Sequence, residues 1–394
     1  MSPELAGPIG FGVVVALIAL RVPIALAMAL VGTVGSIWIG GWSSATYVLS
    51  NLPFEAVSTD GMEVVPLFIF MGVFATYSGL SANLYSGVQA LIGHWRGGLA
   101  SATVGACALF GSVCGSSLAT AATMARVAMP EMTAVGYDRR LTSGALAAGG
   151  TLGILIPPSI IMVIYALLTE QSIGRMFLAG MIPGLLAAAL YMATIYLVAT
   201  LRPSWAPRMP RGAGTNRLTA FRQMSPILSL FVVVMGGIYA GVFSPTEAAG
   251  VGAAGALLLA ALRKRLTWQV TREALVETAV TTGMPFMILI GTSVLQFFIE
   301  TSTLPQVIVD WIQALCLPPL GVVVMSLIIY LILGCFLDSL SMMLITLTIV
   351  FPVIIDLGYD PIWFGVLVVS VVEIGLITPP LGMNLFVITA AVED

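Results

Sequence analysis

Stretches of about 20 mostly apolar residues, separated by short polar turns, recur along the whole chain, and a helix of that length crosses the hydrocarbon core of a bilayer. Two short apolar runs, 8–20 and 23–40, flank Arg21-Val22-Pro23, which reads as a tight turn. Residues 41–63 are mixed, with Glu55, Asp60 and Glu63, and suit an interfacial segment. Apolar segments follow at about 64–80, 97–130, 141–168 and 176–200, then at about 225–242, 246–262, 283–300, 319–337, 340–357 and 362–390. Between the two groups lies a polar loop, 201–224, carrying Arg202, Arg208, Arg211, Arg217 and Arg222. Residues 263–282 open with Arg263-Lys264-Arg265 and are amphipathic, as a helix lying on the membrane surface would be. The pattern predicts an all-α polytopic membrane protein, with the lipid bilayer as its solvent.

Composition agrees: of 394 residues, 59% are hydrophobic and 8% charged, against about 25% charged in a soluble domain. The 41 glycines and 22 prolines sit largely inside apolar segments, so broken helices at membrane depth are expected. Basic loops belong in the cytoplasm. That rule puts 201–224, 263–272 and the Arg139-Arg140 turn inside and the N-terminus outside, although Arg96 and Arg175 then fall outside. No basic residue precedes the first apolar run, so 8–20 is expected to stay as a span. Cys107, Cys114, Cys316 and Cys335 lack metal-ligand spacing.

The second half echoes the first at a spacing of 222 residues. Pro130 matches Pro352, Gly136-Tyr137-Asp138 matches Gly358-Tyr359-Asp360, Gly153 matches Gly375, and Pro157-Pro158 matches Pro379-Pro380. The first GYD turn continues into Arg139-Arg140, the second into Pro361-Ile362-Trp363 without positive charge. One turn therefore reads as inside and the other as outside. That predicts inverted repeats, an architecture that places a transport site at the repeat interface. The first repeat spans 1–200, the basic loop 201–224, and the second repeat 225–394. Asp394 corresponds to Ser172, so the second half is expected to lack a counterpart of 176–200.

Chemistry concentrates at the paired breaks. Gly111-Ser112-Val113-Cys114-Gly115-Ser116-Ser117 has as its mate Gly334-Cys335-Phe336-Leu337-Asp338-Ser339. Glycine beside hydroxyls permits an unwound turn whose oxygens suit a small cation, or close packing of helices through small residues. Gly149 to Gly153, leading to Pro157-Pro158, pairs with Glu373 to Gly375, leading to Thr378-Pro379-Pro380. Consecutive prolines forbid a regular helix there. Asp338 and Glu373 are carboxylates in apolar segments, and such groups are functional candidates by default. Asn384 follows the second break and is a substrate contact candidate. Arg126 either binds a substrate carboxylate or snorkels to the inner surface. Ser244-Pro245-Thr246-Glu247 is a helix capping box. His94, the one histidine, supports no catalytic or metal role. No GxxxxGK[ST], HExxH or GxSxG constellation is present, so neither ATP hydrolysis nor another enzymatic activity is expected.

The segments GSVCGSSLATAA, GYDRRLTSGALAAGGTLGILIPPSIIMVIYA, FSPTEAA, FLDSLSMMLITLTIVFPV and EIGLITPPLGMNLFVI resemble the large membrane subunit of tripartite ATP-independent periplasmic (TRAP) transporters. The resemblance implies an ion-transporter-like elevator fold, with re-entrant hairpins at about 64–95 and 283–315 and broken helices at about 97–168 and 319–390. It implies uptake of a small organic acid into the bacterial cell across the inner membrane, driven by a sodium gradient without an organic cofactor. The implied partners are a small membrane subunit and a periplasmic substrate-binding protein; no nucleic acid is involved. It places Na⁺ ligands around Ser112, Ser116, Gly149, Gly153, Asp338, Ser339, Gly375 and Thr378. Ser117, Pro157, Pro158, Glu373, Pro379, Pro380, Asn384 and Arg126 are then the residues expected near substrate. The competing readings are a proton-coupled carrier or channel of similar architecture, and a structural subunit of another membrane complex.

Overall fold

Glycine, proline and small hydroxyl residues punctuate the apolar segments, and in the computed structural model the backbone turns at those residues. The structure describes residues 3–208, 217–304, 306–307, 318–335, 337–379 and 382–393, and all regular structure among them is helical. Pro380 lies outside the described residues, as do Cys316 and part of the hairpin expected at 283–315.

Helix α1 (Pro3–Ala19) ends at the expected turn, where Arg21 takes a φ of 66°. Helix α2 (Ile24–Ser58) kinks at Gly41, where its first apolar run stops. Helices α3 (Val64–Tyr77) and α4 (Leu80–Ile92) meet at a bend of 71°. Then come α5 (Gly98–Cys114), α6 (Ser117–Ala134), α7 (Arg139–Leu155), α8 (Ile160–Leu168) and α9 (Ile173–Leu201). The later helices are α10 (Arg217–Tyr239), α11 (Pro245–Leu262), α12 (Trp268–Thr301), α13 (Pro319–Gly334), α14 (Ser339–Asp356), α15 (Pro361–Ile377) and α16 (Met383–Glu393). Among the described residues, seven helices are long and apolar enough to cross a membrane, or eight if the bent α3–α4 pair counts as one span. Helix α9 exposes Ile182, Leu186, Leu190 and Leu197 along its length, a surface stable against lipid and costly against water.

The expected hairpin at 64–95 is not seen, and the second arm of the one expected at 283–315 lies outside the described residues. A chain that bends by 71° still moves forward, so α3–α4 does not fold back. Helix α12 runs unbroken from Trp268 to Thr301, through Pro285, which also joins the expected surface segment 263–282 to the apolar one after it. The chain doubles back between α5 and α6: at their outer ends the Tyr137 hydroxyl accepts from Leu99 N at 3.3 Å, and Thr103 reaches Met132 Sδ at 3.4 Å. It doubles back again between α13 and α14, where Val322 near the start of one packs with Val353 near the end of the other.

The two hairpins open on opposite sides. The first has its base at Asp138, whose N–H donates to Trp205 O at 3.0 Å beside the Arg202 guanidinium. Helices α7 and α8 together form one span, Arg139–Leu168, starting at that base. Near its far end the Tyr165 hydroxyl donates to Pro361 O at 2.6 Å, which is the base of the second hairpin. Helix α8 packs on α14 and α15, while α16 packs on α6 and α7, so each half reaches into the other. Around this, α2 and α12 clasp tightly: the space for a Cβ on Gly32 is filled by Val294 O at 2.6 Å.

Candidate functional site

The first hairpin tip is Gly115-Ser116. Gly115 takes a φ of 66°, which a side chain would strain, and so lets α5 end and α6 begin in two residues. Ser116 is extended and caps α6, its Oγ accepting from Ala119 N at 3.4 Å. The tip adjoins the α7–α8 break: Gly115 O accepts from Ile160 N at 3.4 Å. Pro157 and Pro158 are buried in that break, and Ser159 caps α8 with Oγ 3.4 Å from Met162 N.

The second tip is built alike, with a stronger cap. Asp338 Oδ2 accepts from Leu340 N at 3.2 Å and Ser341 N at 3.1 Å, and the Ser341 hydroxyl donates to Oδ1. Ser339 is buried at the first position of α14, with the Glu373 side chain nearby. The α15 helix ends at Thr378, whose hydroxyl donates to Ile374 O at 2.6 Å, and Pro379 stands exposed beyond it.

Each hairpin crosses its broken helix through a pair of glycines. A Cβ on Gly111 would lie 2.4 Å from Gly153 Cα, and one on Gly375 would lie 2.7 Å from Gly334 Cα. Backbones at that distance leave room for nothing but hydrogen. Gly149, by contrast, sits inside α7 with its Cβ position filled by Cys107 at 2.9 Å, so it packs α7 on α5. Ser112 turns its hydroxyl back to Leu109 O at 2.8 Å.

Several buried oxygens around the crossings have no hydrogen-bond partner among the described residues: Ser117 Oγ, Thr120 Oγ1, Asn384 Oδ1 and both oxygens of Glu373. Glu373 is 3% exposed and Asn384 fully buried. Buried polar atoms are normally satisfied, so orphans beside each crossing suit a ligand that supplies the missing contacts. Asn384 holds its place from the second half by donating to Ala147 O of α7 at 3.3 Å. The structure thus brings Ser116, Ser117, Gly153, Pro157 and Pro158 together at one tip and Asp338, Ser339, Glu373, Gly375 and Thr378 at the other, with Asn384 bridging the halves. Arg126 stands apart, on α6 two to three turns from Ser116. Thr120 and Ser341 were not singled out from the sequence; Thr120 lies three residues after Ser117, on the same helix face. No group of three or more His, Cys, Asp or Glu that could hold a metal occurs among the described residues. The donors at the tips are hydroxyls, carbonyls and single carboxylates, which fit a hard cation such as Na⁺.

Comparison with known proteins places the chain. Residues 11–393 match the family model described as tripartite ATP-independent periplasmic transporter, DctM component. The chain is 39% identical over 338 residues to the C4-dicarboxylate TRAP transporter large permease protein of Pseudomonas aeruginosa, covering 86% of this chain and 79% of that protein. It is 34% identical over 400 residues to the protein of the same description from Rhodobacter capsulatus, covering 96% and 88%. Among solved structures it resembles the YdaH transporter of Alcanivorax borkumensis, with a TM-score of 0.70 over 94% of this chain and 90% of that one. At 13% identity that likeness speaks to the fold alone.

Proposed function

Since this chain belongs to the DctM component of the tripartite ATP-independent periplasmic transporters, we propose that it imports a small organic acid across the bacterial inner membrane, driven by sodium. It is a multi-pass transporter subunit and not an enzyme. Its partners on this reading are a small membrane subunit and a periplasmic protein that delivers the solute. The organic acid is supported by the C4-dicarboxylates in the names of the relatives above.

The observation that carries the mechanism is the pairing of each hairpin tip with a helix break. At the tips and breaks, α6, α8, α14 and α16 all begin inside the protein, and helix N-termini carry partial positive charge that favours an anion. One Na⁺ is assigned to the Ser116 tip with Gly153 and the break carbonyls, and another to the Asp338 tip with Ser339, Gly375 and Thr378. The solute then sits between them, against Ser117, Pro157, Pro158, Glu373 and Asn384, with Pro379 at the second break. With both cations bound, the tips are neutralised and a carboxylate is held; without them, Asp338 repels it. The body built from α5–α8 and α13–α16 slides as an elevator past α2, α3 and α12, exposing the site to either side.

The test is solute uptake into proteoliposomes holding this chain, its small membrane partner and the loaded binding protein. Uptake requiring an inward sodium gradient, and lost in Ser116→Ala and in Asp338→Ala, is the expected result. Uptake that follows a proton gradient and ignores sodium would overturn the sodium assignment and favour a proton-coupled carrier.

A further inference from the structure

A cavity of about 410 Å³ lies beside the first hairpin tip, where α6 faces α3 and α12. On α6 its lining residues Ala119, Thr123 and Arg126 follow one another at steps of three and four, so one face of the helix leads from Ser116 to the guanidinium. Alanine there keeps the passage open. Helical side chains lean toward the N-terminus of their helix, which directs Arg126 back along the cavity toward the tip. Opposite, α12 contributes Glu277 and Thr281, one turn apart. The Tyr77 hydroxyl of α3 lines the same cavity close to Glu277, with Arg126 and Glu273 as its other charged neighbours. The charged end of the cavity therefore offers one cation and one carboxylate, with the Glu273 carboxylate near by.

We propose that this cavity selects a small zwitterion, a solute whose single carboxylate meets Arg126 and whose ammonium or other cationic group meets Glu277. A dicarboxylate has one end that Arg126 accepts and another that Glu277 repels, and like charges brought together are an effective way to exclude a wrong partner. The inference departs from the C4-dicarboxylates in the names of the two relatives above, and it rests on the transport reading for the claim that the carried solute enters here.

Three probes of nearly one shape separate charge from size: succinate, 4-hydroxybutyrate and 4-aminobutyrate. Each is titrated into the purified full chain in detergent with sodium present, and binding is read from the upward shift in thermal unfolding. The order expected is 4-aminobutyrate tightest and succinate weakest. Glu277→Gln should improve succinate about tenfold relative to 4-aminobutyrate, while Arg126→Gln weakens all three. Both side chains are exposed, so the variants keep the fold. Succinate binding at least as tightly as 4-aminobutyrate, a preference that Glu277→Gln leaves unmoved, or no response to any probe would overturn the proposal. Sodium-driven uptake is a separate readout: losing it with the charge preference intact sinks the transport reading alone, and the reverse sinks this one alone.

Discussion

At the two crossing points a missing side chain decides whether hairpin and broken helix can meet. Alanine at Gly111 puts a methyl 2.4 Å from Gly153 Cα, and alanine at Gly375 puts one 2.7 Å from Gly334 Cα. Backbone on both sides cannot yield as a flexible side chain would, so each substitution costs about 1–3 kcal/mol. Gly144 sits in open space within α7, and alanine there gains about 0.5–1 kcal/mol of helix propensity. Thermal unfolding in detergent should show G111A and G375A falling by several degrees while G144A holds or rises; equal behaviour of all three would remove the crossings from the account. Gly153 and Gly375 were legible in the sequence as matching positions. What fills the space beside them was not, and that is why Gly149 reads as a ligand in the sequence and packs against Cys107 in the fold. Thr120 and Ser341 carry no signal in the sequence for a related reason: one hydroxyl in an apolar segment makes no pattern, and its meaning comes from what lies across from it.

Among the elements, the breaks were legible and the direction of the chain after them was not. A Gly-Ser turn reads the same whether the next helix continues forward or doubles back. Only the long-range contacts of Leu99 with Tyr137 and of Val322 with Val353 distinguish the two. The family resemblance likewise implied a hairpin at 64–95, because an apolar stretch near a glycine is compatible with a reversal that the 71° bend does not make. The inversion itself was visible in charge, Arg139-Arg140 after one GYD turn and Pro361 after the other. It leads to a topological prediction. In a Cys316→Ser background, the other three cysteines being buried, Arg140→Cys should react with a membrane-impermeant maleimide from the cytoplasmic side and Asp356→Cys from the outside. Both labelling from one side would mean that the hairpins share an orientation, and the two-sided site would fall with it.

For the whole molecule, the elevator reading divides close contacts into two kinds. Gly32 of α2 touches Val294 of α12 within the part that stays still, with Val294 O at 2.6 Å from the Cβ position. Gly72 of α3 touches the moving tip, its Cβ position 2.8 Å from Cys114 Cα. Alanine at Gly32 therefore crowds every conformation and lowers the unfolding temperature. Alanine at Gly72 crowds only conformations with the tip at this height. A penalty of about 1–3 kcal/mol confined to one state shifts its population by roughly 5- to 150-fold while costing global stability no more than the gap to the next state. G72A should slow uptake and change the distribution of distances between spin labels on α6 and α12, with a smaller fall in unfolding temperature than G32A. If the tip does not slide past α3, the two contacts are equivalent in kind: both variants then lower stability together, the label distances stay put, and the elevator is the part of the mechanism that has to be given up.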